Sequence, residues 1–137
     1  MNDIVQAQWL RLIENADDPQ RVGRSMFVAP YAEMLRTAYA HRRLRVLFPW
    51  TGMWELHFSR CTEQRWTWDI PYIAPAKDGR FLVAGPSRSQ VVGYADSAED
   101  AVGMVVDRLP PGCGRAFVGT PAELADYEDA HAPRVNP

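Results

Sequence analysis

Between residues 53 and 109 the hydrophobic period changes once, from two to 3.6, and that change limits the fold more than any other feature of the chain. In WELHFSRC, residues 54–61, Trp54, Leu56 and Phe58 alternate with Glu55, His57, Ser59 and Cys61, which is a strand with two unlike faces. The spacing predicts strands over residues 53–60, 66–74, 80–84 and 90–95, with Trp66, Trp68, Ile70 and Tyr72 on one face of the second. Asp78 and Gly79 are a favoured hairpin pair, and Gly85 to Ser89 (GPSRS) form a second loop. Strands joined by such short connections pair antiparallel, as a meander. From Ser97 the period becomes helical: Ala98, Ala101, Val102, Val105, Val106 and Leu109 share one face, and Pro110, Pro111 and Gly112 end it.

Two helices are expected before the strands. Asp3 caps the first, with Gln6 in the capping-box position, and Val5, Trp9, Leu12 and Ile13 form its apolar face. It stops near Asp17, Asp18 and Pro19, and residues 17–29 read as a loop. Pro30 suits the first turn of the second helix, which carries Met34, Leu35 and Ala38 inward and ends before Phe48 and Pro49. Residues 116–118 suit a short edge strand and residues 121–127 a turn of helix, with residues 128–137 expected to fray. The order α-α-β-β-β-β-α predicts an α+β fold: a single domain, 1–137, with a four- or five-stranded antiparallel meander and helices packed on one face.

A chain of 137 residues, 47% apolar and 23% charged, has the composition of one globular domain. The net charge of −2, with basic residues grouped only at Arg42, Arg43 and Arg45, argues against nucleic acid as a partner. No apolar run has the length of a membrane span, about 18 residues, and the N-terminus lacks the apolar core of a signal peptide. A cytoplasmic protein with Cys61 and Cys113 as free thiols is the expectation. Lys77 is the single lysine against fourteen arginines, a codon bias usual in GC-rich genomes and without mechanistic content.

The chemistry-bearing residues concentrate on the strands. Cys61 lies four residues from His57, roughly 13 Å along an extended strand, which removes it as a direct partner. His57, with Asp69 on the neighbouring strand, is the acid/base candidate, and Glu55 and Ser59 share its face. Trp50, Trp54, Trp66, Trp68 and Tyr72 supply more aromatic surface than a small core requires, and line a pocket for a planar or apolar substrate or fill the space between sheet and helices. Arg60 and Arg88 are the candidates for orienting an anionic group, Arg88 from within GPSRS, which lacks P-loop spacing. His41, His57 and His131 show no metal-ligand spacing, so no metal and no cofactor are expected.

Two stretches carry a resemblance. AYAHRRLRVLFPWTGMWELHFSRC and VVGYADSAEDAVGMVVDRLPPGCGRAFVGT, within residues 38–120, resemble an uncharacterised actinobacterial family associated with natural-product biosynthesis, a domain of unknown function. Where that family often has Ser-His before the tryptophan, this chain has Gly52 and Met53, so any role of that histidine does not carry over. The resemblance implies secondary metabolism and assigns no catalytic residue. Together with the residues it leads to the expectation of a cofactor-independent cyclase or isomerase acting on a pathway intermediate. Two alternatives stay open: a non-catalytic module that holds a pathway intermediate or docks on a larger biosynthetic enzyme, and an immunity- or antitoxin-like protein; a homodimer or a biosynthetic partner enzyme is compatible with the sequence.

Overall fold

The computed structural model describes residues 3–132. Three helices, α1 (Ile4–Ala16), α2 (Pro19–Val22) and α3 (Val28–Ala40), precede five strands, β1 (Phe48–Gly52), β2 (Glu55–Ser59), β3 (Tyr72–Pro75), β4 (Phe81–Ala84) and β5 (Val91–Ala95). Two helices, α4 (Ala98–Val106) and α5 (Pro121–His131), complete the chain. The strands form one antiparallel sheet in the order β1-β2-β3-β4-β5, the α+β meander that the change of period predicts. Helices α1, α3 and α4 cover one face. Beneath them Leu56 and Phe58 of β2, Ile73 of β3, and Phe81 and Val83 of β4 are buried with Trp9, Leu35, Val102 and Val105. This leaves the face bearing Glu55 and His57 for other chemistry.

The fifth strand is not the one expected. Residues 116–118 make only an isolated parallel bridge, Phe117 to Cys61, and the extra strand is β1. Pro49 reads as a helix terminator, yet β1 is an edge strand, where a residue without an N–H is tolerated. The connection from β1 to β2 is a two-residue loop, Met53 and Trp54, both with positive φ (50° and 68°). This is the geometry of a type I′ hairpin, normally given to Asn and Gly. Those two residues were expected inside the first strand, whereas here they turn the chain. The turn sets the register, and the register places Trp50 directly opposite His57.

The second expected strand is shorter than its alternation suggests. Residues 66–71 are irregular, and β3 begins at Tyr72. Trp66 has φ 56°, which no strand accommodates. Buried Ser59 holds this segment in place: its hydroxyl accepts from the N–H groups of Cys61 (3.1 Å) and Thr67 (3.1 Å) and donates to the Cys61 carbonyl (2.8 Å). Thr67 Oγ1 accepts from Arg60 N–H at 2.8 Å. The local hydrogen bonds of these short polar side chains outcompete strand pairing.

Smaller departures have equally local causes. Asp3 caps α1 by accepting from Val5 and Gln6 N–H, but Gln6 bonds the Tyr39 hydroxyl instead of closing a box. Asp18 caps the short α2 inside the expected loop. Helix α5 runs to His131, so residues 128–131 of the expected frayed segment are helical, and residues 133–137 lie outside the described residues. Thr120 and Glu123 close a full capping box at its start, and Leu124 is buried under it. No described helix is long and apolar enough to cross a membrane.

Candidate functional site

On the face away from the helices, four rings stack in a column: Tyr72, His57, Trp50 and Trp66. Successive centroids are 4.7, 3.9 and 4.6 Å apart, with interplanar angles of 30°, 9° and 13°. The middle contact, His57 on Trp50, is the cross-strand pair set by the β1–β2 hairpin. Trp68 stands edge-on to both Trp50 (5.0 Å, 68°) and His57 (5.5 Å, 64°). Its indole N–H donates to the Arg65 carbonyl at 3.0 Å, which fixes the ring although the residue is 55% exposed. At the far end of the column, Gly85 (φ 102°) lies so close to Tyr72 that a Cβ there would sit 3.0 Å from the ring.

The imidazole is held in its plane by the stack and in its rotation by a carboxylate. His57 Nε2 lies 2.9 Å from Glu55 Oε1. Arg88 grips the same carboxylate bidentately, Nη1 to Oε2 at 2.7 Å and Nη2 to Oε1 at 3.0 Å. For Glu55, burial pushes the carboxyl pKa upward, but the hydrogen bonds and charges of Arg88 and His57 outweigh it and leave it below the usual range. A carboxylate that stays ionised can only accept, so Nε2 carries the proton. In neutral His57 the lone pair then resides on Nδ1, which makes no hydrogen bond among the described residues. Burial lowers the His57 pKa below its ordinary value, with Arg88 adding to that and Glu55 partly opposing it.

Beside the column lies a cleft of about 550 Å³, lined by Trp50, Met53, Glu55, His57, Trp66 and Trp68, with Gly52, Gln64, Arg65 and Arg88 completing the wall. Of the residues expected to form a site, it brings together His57, Trp50, Trp66, Trp68 and Arg88, and Tyr72 backs the His57 ring. Three others are elsewhere. Trp54 turns to the opposite side of the hairpin, against Phe27 (6.1 Å) and Tyr31 (5.2 Å) of the α3 entry. Asp69 is bound to Arg60 (Nε to Oδ2, 2.6 Å) and lines a different depression, with Pro71 and Arg108. Arg60 also reaches Glu128 at 3.0 Å, so it ties the irregular segment to α5. These two charges neutralise each other in a structural clamp, and neither lines the cleft that His57 borders.

The shared face of Ser59 also divides differently from its alternation. Ser59 is enclosed in the hydrogen bonds that hold residues 59–67, and Cys61 Sγ sits 3.6 Å from its hydroxyl and 3.5 Å from the Glu63 carbonyl. Cys61 is buried, and both cysteines are free. The GPSRS loop spends its donors internally: Ser87 Oγ meets Ser89 Oγ at 2.9 Å, and Ser87 N–H donates to Gln90 Oε1 at 2.9 Å. Its contribution to the cleft wall is Arg88. Glu55 is the cleft residue that strand reasoning undervalues. Its signal is its i,i+2 position on the same strand face as His57, where long side chains meet even though the backbone positions are about 7 Å apart. Among the described residues no group of histidine, cysteine and carboxylate side chains has metal-binding geometry.

An antiparallel α+β domain with an aromatic cleft at a histidine–glutamate pair is the class that fold and site define. The chain belongs to a family of unknown function (DUF6193), whose family model matches residues 3–120 and so includes the sheet, the cleft and α4. Comparisons with curated proteins and with solved structures return no match.

Proposed function

We propose that the protein is a small enzyme that moves a proton on a small-molecule substrate without a cofactor, in the manner of an isomerase or cyclase. The observation that carries this reading is the orientation of His57. Its Nε2 is committed to Glu55, its ring is clamped between Trp50 and Tyr72, and its basic Nδ1 is unpartnered in a residue that lines the cleft. Nδ1 takes a proton from a C–H or O–H acid of the substrate, the Glu55 carboxylate stabilises the imidazolium, and the proton returns to another atom of the same molecule. Atoms and charge balance without an external oxidant or reductant. Asp69, bound to Arg60 away from the cleft, has no part in this step. The resemblance over residues 38–120 supports a setting in secondary metabolism and a pathway intermediate as substrate.

The test is metabolite profiling of a deletion strain complemented with wild type, His57→Gln, or Lys77→Ala as a surface control. His57→Gln is expected to leave the deletion profile unchanged while Lys77→Ala restores the wild-type one. Full restoration by a folded His57→Gln protein would sink the acid/base reading. A second reading, a non-catalytic module that holds an intermediate, is favoured by one observation: Met53 and Trp68 at the cleft mouth are 90% and 55% exposed. It predicts full restoration by His57→Gln and failure of Trp68→Ala.

A further inference from the structure

We propose that the cleft takes a planar conjugated anion, an aromatic or heteroaromatic carboxylate, whose ring lies against Trp68 and whose charge meets Arg65. The proposal rests on reading the cleft as a small-molecule site, and it names the ligand class for that site. Its first support is the state of Trp68. A half-exposed indole ordinarily rotates in solvent, but this one is fixed by its N–H bond to the Arg65 carbonyl and by edge contacts to Trp50 and His57. A rigid aromatic plane exposed to water is a stacking platform whose ordering cost is already met in the free protein. Covering it with a flat ring removes apolar area from water.

Charge supplies the second support. The overall chain is acidic, at −2, yet the cleft wall holds two guanidiniums, Arg65 and Arg88, and a single carboxylate, Glu55. Arg88 is committed to that carboxylate. Arg65 is exposed and meets no carboxylate within 4.0 Å among the described residues. Indole faces alone favour cations as well as neutral rings, but with Arg88 and Glu55 cancelling each other the Arg65 guanidinium is the uncompensated charge of the wall, which repels a cation and leaves an anion as the complementary charge. The volume, about 550 Å³, admits one or two fused rings with a carboxylate. Glu55 does not oppose this, because its charge is already neutralised by Arg88.

Isothermal titration calorimetry with three naphthalene probes of one shape separates the contributions: 2-naphthoate, 2-naphthalenemethanol and 2-naphthylmethylammonium. The carboxylate is expected to bind at least ten-fold more tightly than the ammonium, with the alcohol between them and the difference shrinking as salt is raised. Arg65→Ala should erase the preference for the carboxylate, and Trp68→Ala should weaken all three probes at least five-fold. Trp68→Phe, checked for folding by circular dichroism, should recover part of that loss. Lys77→Ala, the surface control, should change 2-naphthoate binding by less than two-fold, and carboxylate-selective binding by the wild-type protein together with failed complementation by His57→Gln keeps both proposals standing. Equal or tighter binding of the ammonium, an Arg65→Ala protein that keeps the preference, or no binding of 2-naphthoate at millimolar concentration would each overturn the ligand class without bearing on His57 as the base.

Discussion

Trp9 and Trp66 are both large indoles packed against the same domain, and they are treated in opposite ways. Trp9 is fully buried between α1 and the sheet, makes tilted contacts with Tyr39 and Phe58, and donates its N–H to the Leu47 carbonyl at 3.0 Å. Trp66 sits at φ 56°, stacks on Trp50, and has a buried Nε1 with no hydrogen-bond partner among the described residues, as does Trp50. A buried donor left unsatisfied costs about 1–3 kcal/mol, and backbone at positive φ adds about 1 kcal/mol or more. The helix-covered face of the sheet is therefore built for stability, while the face that carries His57 accepts strain. Such a concentration of local rule-breaking is what functional surfaces show.

The largest expected effect falls on the stable side. Trp9→Ala should lower unfolding free energy by about 3–5 kcal/mol in urea titrations, since it opens a cavity and strands the Leu47 carbonyl. On the cleft side Gly85→Ala should cost about 1–3 kcal/mol, because it places a Cβ at positive φ 3.0 Å from Tyr72. Trp66→Phe removes an orphaned N–H and keeps a stacking ring, so it should leave stability within about 1 kcal/mol of wild type. If Trp66→Phe proved as damaging as Trp9→Ala, the contrast between the two faces would collapse.

Protonation probes the same division. Since His57 has its pKa lowered on folding, the unfolded chain binds more protons below about 6.5, and wild-type stability should decline as pH falls through that window. Glu55, also lowered, should add a second decline at more acidic pH, as its carboxylate protonates. In His57→Gln the first decline should be missing from the pH dependence of the urea midpoint. The smallest effect is expected for Arg88→Ala: with the repelling guanidinium gone, the NMR titration midpoint of His57 should move up toward the ordinary value. A downward move would mean that the buried pair is organised by something other than this clamp.

Much of the helix-covered face was legible because it follows period. Leu56, Phe58, Phe81 and Val83 enter the core as their alternation requires, and Ala101, Val102 and Val105 follow the helical repeat. The site was legible only in part. His57 and the residues Trp50, Trp66, Trp68 and Arg88 were candidates from their chemistry, but Trp54, Asp69 and Arg60 carry the same chemistry and lie elsewhere. Alternation assigned Trp66 and Trp68 to a strand, whereas the hydrogen bonds of Ser59 and Thr67 hold them in an irregular segment.

The amino-acid sequence by itself determined the α+β class, the antiparallel meander and the apolar faces of α1, α3 and α4, because each depends on spacing within a dozen residues. Only the tertiary structure decided that a hairpin through Met53 and Trp54 would set Trp50 against His57, and that Arg88, 33 residues from Glu55, would close on its carboxylate. Those contacts depend on register and loop closure, where positive-φ turns and long-range charge pairing override local propensity. A single strand face of mixed polarity thus became an oriented imidazole beside an aromatic cleft.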